Sequence, residues 1–179
     1  DPRAIEAGVM PGQTSQAALA LLPDLNLEVR SLLKEQQELE QLAGWLERFS
    51  SFVSMADRDL LLLEIAGSLK LFGGLKALRQ QIVDGLKQLG FTVCLAIAPT
   101  PLAATWLARA GRRSCIRDNH HLVPTLRDLS LDCLHWPVTV TDALRGIGVT
   151  TVGECLRLPR DGFAKRFGVA QLLQLDRAV

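Results

Sequence analysis

The sequence lacks paired cysteines, a long apolar run and a strong net charge, and each absence argues against one class of protein. Its four cysteines lie about twenty residues apart without a Cys-x-x-Cys pair, which argues against a zinc site and favours a reduced intracellular protein. No apolar run approaches the roughly 18 residues of a bilayer span, and no segment resembles a signal peptide. The net charge of +1 gives no global attraction to nucleic acid, so any DNA contact has to be local.

The composition indicates a globular protein. The chain has 179 residues, of which 48% are hydrophobic and 22% are charged, enough for one large domain or two small ones. It begins at Asp1 rather than at a methionine, and its first residues are typical of the middle of a domain. We therefore expect it to be a fragment of a longer protein.

Hydrophobic periodicity predicts an α+β fold for residues 26–111, with helices covering one face of a mixed sheet. Helical spacing and capping residues indicate helices over residues 29–49, 75–89 and 101–109. Apolar runs between polar turns indicate strands at residues 52–55, 60–66 and 91–98. The four consecutive leucines of the second strand suggest that it is covered on both faces.

The pattern changes after residue 113 to that of a small all-helical domain. Residues 114–124 have the composition of a linker with a short strand. Short helices are predicted at residues 126–131, 139–144, 151–158, 161–167 and 170–178.

Asp59 stands at the entrance of the leucine-rich strand, which is a common position for a metal-binding carboxylate. The residue after it is Leu60, and a single carboxylate binds a divalent metal poorly. The adjacent His120 and His121 point apart more easily than they converge on a metal. No metal site and no cofactor are therefore predicted.

The helical region contains the motif of a helix-hairpin-helix, LRGIGVTTVGECL over residues 144–156. Gly146 and Gly148 permit a tight turn around Ile147, and the second helix begins at Thr150 or Thr151. Free backbone N–H groups at that point would bind a DNA phosphate without reading sequence. The alternative is an ordinary helical corner in which the glycines only permit packing, and the spacing does not separate the two.

Three segments occur in an order that resembles the Y-family translesion DNA polymerases. They are VSMADRDLLLLEIAGSLKLFGG (residues 53–74), LAIAPTPLAA (95–104), and GIGVTTVGECLRLP (146–159) with RFG (166–168). The resemblance extends over nearly the whole chain and is strongest to the polymerase-like subunits of bacterial SOS mutagenesis complexes. It implies the end of a fingers region at residues 1–25, a palm at residues 26–113 and a thumb at residues 114–179.

The chain departs from the family pattern where the chemistry would occur. Active members carry an Asp-Glu pair at the strand entrance, and the alignment places Asp59 on the aspartate and Leu60 on the glutamate. Leucine offers no metal ligand, whereas two-metal phosphoryl transfer needs several carboxylates. The resemblance therefore implies that Asp59 is vestigial and that the chain has no catalytic residue.

Two other departures agree with this interpretation. The Asn-Lys pair and the second lysine that face the incoming triphosphate in active members correspond here to Thr100, Pro101 and Thr105. No cation remains there to meet the phosphates. In the thumb, the first of two glycine-rich hairpins is replaced by residues 134–141, and only the second remains.

The leading hypothesis is a catalytically inactive, polymerase-shaped scaffold that acts in SOS translesion synthesis and binds primer-template DNA through its backbone. The resemblance implies three protein partners, namely a RecA-like accessory protein, an error-prone replicative-type polymerase and the sliding clamp. Their contacts would mostly lie outside this fragment. It also implies a bacterial cytoplasmic protein at the nucleoid, without membrane association.

Two alternatives stay open. An active translesion polymerase would take its metal ligands from Asp59, Asp57 or Glu64 together with an upstream segment. Glu64 lies five residues beyond Asp59 along a strand, which places it well away from a metal bound at Asp59. A generic nucleic-acid or protein-interaction module with a helix-hairpin-helix would need no relation to polymerases.

Overall fold

The computed structural model describes residues 2–179 and confirms the α+β class. In chain order the elements are α1 (Pro2–Glu6), α2 (Ser15–Leu21), α3 (Leu32–Leu46), β1 (Val53–Asp57), β2 (Leu60–Leu63), α4 (Leu75–Gln88), α5 (Pro101–Arg109), α6 (Leu122–Leu126), α7 (Val138–Arg145), α8 (Val152–Arg157), α9 (Arg160–Phe167) and α10 (Val169–Ala178). Three short 3₁₀ helices are also present, at Ala66–Ser68, Asn119–His121 and Leu131–Leu134. Over residues 2–179, no helix combines the length and apolar character that a bilayer span demands.

The chain divides into two compact units, one that ends at Glu38 and one that extends from Leu39 to Val179. In the first unit, the Thr14 side chain caps α2 by accepting a hydrogen bond from the Ala17 N–H at 3.2 Å. An ion pair of 2.7 Å joins Arg3 to Asp24 in the same unit. The predicted domain boundaries at residues 25 and 113 do not coincide with this division and stay predictions.

Helix α3 is shorter than the predicted helix over residues 29–49. Its start is set by Ser31, whose side chain accepts a hydrogen bond from the Lys34 N–H at 3.3 Å. Its end is set by a turn in which the Phe49 N–H bonds to the Leu46 carbonyl at 2.9 Å. The apolar periodicity continues past both ends, which is why the pattern overestimated the length.

Strands β1 and β2 form an antiparallel hairpin. The register pairs Val53 with Leu63 and Asp57 with Leu60, with an irregularity between Met55 and Asp57. At the open end of the hairpin, the Ser50 hydroxyl donates a hydrogen bond to the Glu64 carbonyl. The hairpin is the whole of the regular sheet within residues 2–179.

The predicted strand over residues 91–98 is wrong. Its only ladder contact in the described chain is an isolated parallel bridge between Ile97 and Cys115. A strand requires a neighbour that shares its backbone hydrogen bonds, and the described residues supply none along most of this segment. For the same reason the prediction that Leu60–Leu63 is covered on both faces is wrong, because all four leucines are only half-buried.

The second unit has two apolar clusters. The smaller one joins α3 and α4, and its buried members are Leu46, Phe49, Leu78, Ile82 and Leu86. The larger one occupies the helical region, and it also includes Ala103, Trp106 and Leu107 of α5. Helix α5 therefore buries one face in the core of the helical region although it lies within the predicted palm segment.

Four of the five predicted C-terminal helices are present as α7–α10, with ends shifted by at most a few residues. The predicted helix at residues 126–131 is wrong, because α6 ends at Leu126. The helical region begins earlier than predicted, at the 3₁₀ turn Asn119–His121. The Asp118 side chain caps this turn by accepting a hydrogen bond from the His121 N–H at 3.2 Å. Residues 119–124 are therefore helical where a linker was predicted, whereas residues 114–118 lie outside any helix and Cys115 forms an isolated bridge with Ile97.

Helix α8 packs with its first turn directly against the backbone that follows α6. The Val152 N–H bonds to the Leu129 carbonyl at 2.9 Å, and the Gly153 N–H bonds to the Arg127 carbonyl at 3.0 Å. A Cβ atom at position 153 would lie 2.6 Å from the Arg127 Cβ and 2.8 Å from its Cα and carbonyl oxygen. Glycine is therefore required here by close approach rather than by an unusual backbone angle.

We expect Gly153→Ala to lower the free energy of unfolding by about 1–3 kcal/mol, the usual range for overpacking, because the Arg127 backbone has to move. Urea denaturation monitored by circular dichroism measures this difference. Gly162→Ala in α9 is the matched control, since no atom lies within 4 Å of the added Cβ. That control is expected to be neutral or to stabilise the helix by up to about 1 kcal/mol. Equal effects of the two substitutions would contradict the close-approach argument.

Candidate functional site

Asp59 lies at the exposed tip of the hairpin, between the end of β1 and the start of β2. Together with Leu60 it borders a cleft whose other walls include residues 92–98 and Arg109. The structure records no hydrogen bond or ion pair for the Asp59 side chain within residues 2–179. The carboxylate is available to solvent, but the next residue contributes only an apolar side chain.

Asp57, two residues before the tip, is already paired. Its Oδ2 atom accepts a hydrogen bond from Nη2 of Arg109 at 2.5 Å and lies 3.7 Å from Nδ1 of His135. The Arg58 backbone N–H, followed by the charges of Arg109 and His135, holds the pKa of Asp57 below its ordinary value. The Arg109 side chain is 14% exposed, so its guanidinium is largely buried where it contacts Asp57.

The remaining carboxylate on the hairpin faces its own backbone. Oε1 of Glu64 accepts a hydrogen bond from the Ala66 N–H at 2.7 Å, just beyond the end of β2. Over residues 2–179, no group of three histidine, cysteine, aspartate or glutamate side chains converges in a way that could hold a metal ion.

The residues predicted to face a triphosphate form internal hydrogen bonds. The Thr100 side chain caps α5 by accepting the Ala103 N–H at 3.2 Å, and its hydroxyl donates to the Ala178 carbonyl at 2.9 Å. The buried Thr105 hydroxyl donates to the Pro101 carbonyl at 2.9 Å. These contacts secure helix α5 and provide no positive charge for a phosphate.

Helices α7 and α8 are joined by a tight loop, as the sequence predicts. Gly148 adopts a φ of +82°, which favours glycine, and Ile147 at the tip of the loop is 41% exposed. The N–H groups of Gly146 and Gly148 bond to the carbonyls of Asp142 and Arg145 at 2.8 and 2.9 Å. The glycines thus complete the turn within the motif.

The expectation of free N–H groups at the start of α8 is wrong. Oε2 of Glu154 accepts hydrogen bonds from the Thr150 and Thr151 N–H groups at 2.7 and 3.0 Å, and the Thr151 hydroxyl caps the Glu154 N–H. This is a capping box, and the Thr-x-x-Glu spacing that predicts it is visible in the sequence. The backbone N–H of Thr150, followed by that of Thr151, keeps the pKa of Glu154 below its ordinary value.

Several cations near this loop are also engaged. Arg145 pairs with Asp132 and Asp142, and Arg160 forms two hydrogen bonds with Asp176. The structure records no ion pair for Arg157 or Lys165 within the residues that it describes. Arg157 and Lys165 are exposed positive charges on the segment that follows the loop, and so is Arg166, whose guanidinium lies over the Phe167 ring at 5.5 Å from its centroid.

Comparison with known proteins identifies the family. A model of the impB/mucB/samB family matches residues 2–109. Two relatives, both named Protein ImuB and both from Caulobacter vibrioides (strains NA1000 / CB15N and ATCC 19089 / CIP 103742 / CB 15), are 36% identical over 172 residues. The match covers 96% of this chain and 38% of each relative. The chain belongs to the impB/mucB/samB family.

Solved structures similar to this impB/mucB/samB chain are Y-family DNA polymerases. DinB from Sulfolobus solfataricus matches with a TM-score of 0.71 at 17% identity, over 99% of this chain and 54% of that one. The insertion ternary complex of Dbh DNA polymerase matches with a TM-score of 0.74 at 17% identity, over 98% of this chain and 53% of that one. These likenesses confirm the polymerase-like fold, and the chain spans about half the length of the solved structures.

The impB/mucB/samB fold brings together residues that the sequence analysis considered separately or missed. Asp57 was known to lie near Asp59, but its partner Arg109 is 52 positions away in the chain. His135 adopts a left-handed conformation with a φ of +51° beside the same carboxylate. No local sequence pattern indicates a contact between residues so far apart in the chain. The contacts of Arg109 and His135 with Asp57 could therefore not have been predicted from residue spacing.

We expect Asp57→Asn to lower the free energy of unfolding by an amount on the order of 1 kcal/mol, because it leaves the largely buried Arg109 without its carboxylate partner. Folding lowers the pKa of Asp57, so its contribution is present above the ordinary value of 3.8 and is lost as the pH falls through the lower, folded value. Urea denaturation near neutral pH and again near pH 3 tests both statements.

Asp59→Asn is the matched control, since it makes the same chemical change two residues away on an unpaired side chain. It is expected to leave the unfolding free energy nearly unchanged at both pH values. If both substitutions destabilise the protein equally, or if the Asp57 effect does not diminish in acid, the pairing with Arg109 does not contribute as described.

Proposed function

We propose that this region is a catalytically inactive, polymerase-shaped element that acts in DNA damage tolerance by holding DNA and assembling protein partners. Membership of the impB/mucB/samB family and the Y-family polymerase fold support a role at damaged DNA. We place this role in translesion synthesis during the SOS response, in the bacterial cytoplasm at the nucleoid.

The proposal that the protein is catalytically inactive rests on the β1–β2 hairpin. Nucleotidyl transfer by two metal ions needs several carboxylates to hold the metals and to stabilise both the attacking and the leaving oxygens. Here Asp59 is the one unpaired carboxylate at the tip, and Leu60 follows it. The neighbouring Asp57 already accepts a hydrogen bond from Arg109, whose fixed charge opposes the approach of a divalent cation.

The loop between α7 and α8 is the proposed DNA-backbone contact, through Gly146, Ile147, Gly148, Thr150 and Thr151. Because the carboxylate of Glu154 occupies the N–H groups of both threonines, the contact relies on the exposed tip at Ile147 and Gly148. The cations Arg157 and Lys165 add attraction that is independent of sequence. The binding we propose is therefore weak, salt-sensitive and directed at the phosphate backbone.

The proposed protein partners are a RecA-like accessory protein, an error-prone replicative-type polymerase and the sliding clamp. Their support is the family resemblance and the 36% identity to Protein ImuB. This chain spans 38% of those relatives, and we assign no partner contact to any of its residues.

Primer extension tests the inactivity. We expect the longest available form of the polypeptide to add no nucleotide to a primer-template with Mg²⁺ or Mn²⁺, beyond the level of its Asp59→Ala variant, because the hairpin lacks a second free carboxylate. Dbh DNA polymerase serves as the positive control. Robust incorporation that Asp59→Ala abolishes would establish an active polymerase instead.

Fluorescence anisotropy with labelled primer-template DNA tests the proposed contact through the loop between α7 and α8. We expect Ile147→Glu to weaken binding by about fivefold, which corresponds to roughly 1 kcal/mol for one unfavourable charge contact at 4 Å in water. Ile147→Gln controls for size, and Val138→Glu places the same charge on an exposed position at the far end of α7. Both controls should bind as the unmodified protein does. An equal loss of DNA affinity in all three variants would show that the loop between α7 and α8 is not part of the interface.

A further inference from the structure

Positive charge is concentrated in residues 111–117, the segment that follows helix α5. It contains Arg112, Arg113 and Arg117 and no acidic residue. Because the whole chain has a net charge of +1 and this segment contributes +3, the other residues together carry a net charge of −2. The small net charge of the chain therefore conceals a local basic segment, which can attract a polyanion over the distance of a Debye length.

The backbone of this segment is held in place against Ile97. The Ile97 N–H bonds to the Ser114 carbonyl, and the Ile97 carbonyl accepts the Ile116 N–H, both at 2.8 Å. These two bonds form the isolated parallel bridge between Ile97 and Cys115. The Arg112 N–H bonds to a carbonyl of helix α5 at 2.9 Å. The segment is thus a short extended piece of chain with a fixed position.

Side chains of this segment alternate between two faces. Ser114 is half-buried and Ile116 is buried, whereas Arg113, Cys115 and Arg117 are exposed. Alternation is the pattern of an extended backbone, so Arg113 and Arg117 lie on the same outer face, on either side of Cys115. At about 3.3 Å per residue, their Cα atoms are about 13 Å apart. Two positive charges are therefore presented in a row along one exposed edge.

The three guanidinium groups have no carboxylate partner. The structure records no ion pair or side-chain hydrogen bond for Arg112, Arg113 or Arg117 among the residues that it describes. The next acidic residue along the chain, Asp118, is engaged with His121, whose N–H and Nδ1 lie 3.2 and 2.8 Å from its Oδ1. The arginines can therefore bind an external anion without first breaking an internal contact.

We propose that Arg112, Arg113 and Arg117, the arginine strip, bind the phosphate backbone of DNA in addition to the loop between α7 and α8. A planar guanidinium forms two parallel hydrogen bonds with a phosphate, and arginines in a row fit a ligand whose negative charge repeats along its length. This inference rests on the proposed function, because it takes DNA as the molecule that is held.

The arginine strip has charge but no exposed apolar anchor, which favours a nucleic acid over a protein as its ligand. Protein interfaces place aromatic or apolar side chains at their centre. Ile116 is the one large apolar side chain of residues 111–117, and it is buried against the rest of the chain. Recognition by charge alone is typical of contacts to the nucleic-acid backbone, which are independent of base sequence.

The salt dependence of DNA binding tests the arginine strip. Fluorescence anisotropy with labelled primer-template DNA, at a series of salt concentrations, is measured on the longest available form of the polypeptide. We expect Arg113→Gln combined with Arg117→Gln to make the slope of log K against log salt concentration shallower by about 1.8, since each lost phosphate contact removes about 0.9. Lys76→Gln combined with Lys87→Gln removes the same charge from exposed positions of α4 and is expected to leave the slope unchanged.

Cys115 reports on the same contact, because it lies between Arg113 and Arg117. Burial raises the pKa of Cys133 to about 11 and that of Cys155 to about 12, which keeps these two thiols slow to react. Labelling with iodoacetamide, a neutral reagent, is followed by mass spectrometry. We expect DNA at ten times its dissociation constant to slow the labelling of Cys115 by up to about tenfold, the limit set by mass action. The half-buried Cys94 serves as the internal control and should react at an unchanged rate.

The outcomes separate this inference from the proposed function. If the arginine variant keeps the slope of the unmodified protein and DNA does not protect Cys115, while Ile147→Glu still weakens binding, DNA is held without the arginine strip and the inference is wrong. If the unmodified protein binds no DNA, the inference and the DNA-holding function are both wrong. Protection of Cys115 by polyglutamate but not by DNA assigns the strip to an acidic protein segment, which also overturns the inference.

Discussion

Helix α5 is packed so that both parts of the second unit depend on it. Trp106 and Leu107 are almost completely buried in the larger apolar cluster, which fixes the helix within the helical region. The same helix places Arg109 beneath the hairpin, where its guanidinium holds Asp57. The packing of α5 therefore determines where the Arg109 guanidinium lies. The positive charge next to the β1–β2 hairpin is thus placed by a helix whose position is set by hydrophobic contacts.

Much of the helical framework could be predicted because its signals are local. The helices predicted over residues 75–89 and 101–109 are found as α4 and α5 with nearly the same ends, and Thr100 caps the second of them. The absence of a regular strand at residues 91–98 could not be predicted, since apolar composition does not report whether a neighbouring strand is present. The capping box of Thr151 and Glu154 could have been predicted from the Thr-x-x-Glu spacing. The glycines between α7 and α8 instead favoured the prediction of a phosphate-binding turn. The contact of Arg109 with Asp57 had no local signal at all.

The family fold persists here with different demands on its side chains. Leu60, which the family resemblance aligns with a glutamate of active members, borders the cleft beside the β1–β2 hairpin. Thr100 and Thr105, which the resemblance aligns with an asparagine and a lysine of active members, form hydrogen bonds that hold α5 in place. Leucine and threonine at such positions carry no charge that has to be kept desolvated and unpaired, which is costly in a folded protein.

The carboxylate of Glu154 competes with any anion that approaches the loop between α7 and α8. It is tethered four residues from the Thr150 amide that it binds, so an external phosphate has to compete with an acceptor that is permanently present. The loop is consequently ordered before a ligand arrives, and little conformational entropy is lost on binding. Electrostatic attraction of an anion to this loop would therefore have to come from cationic side chains elsewhere on the surface.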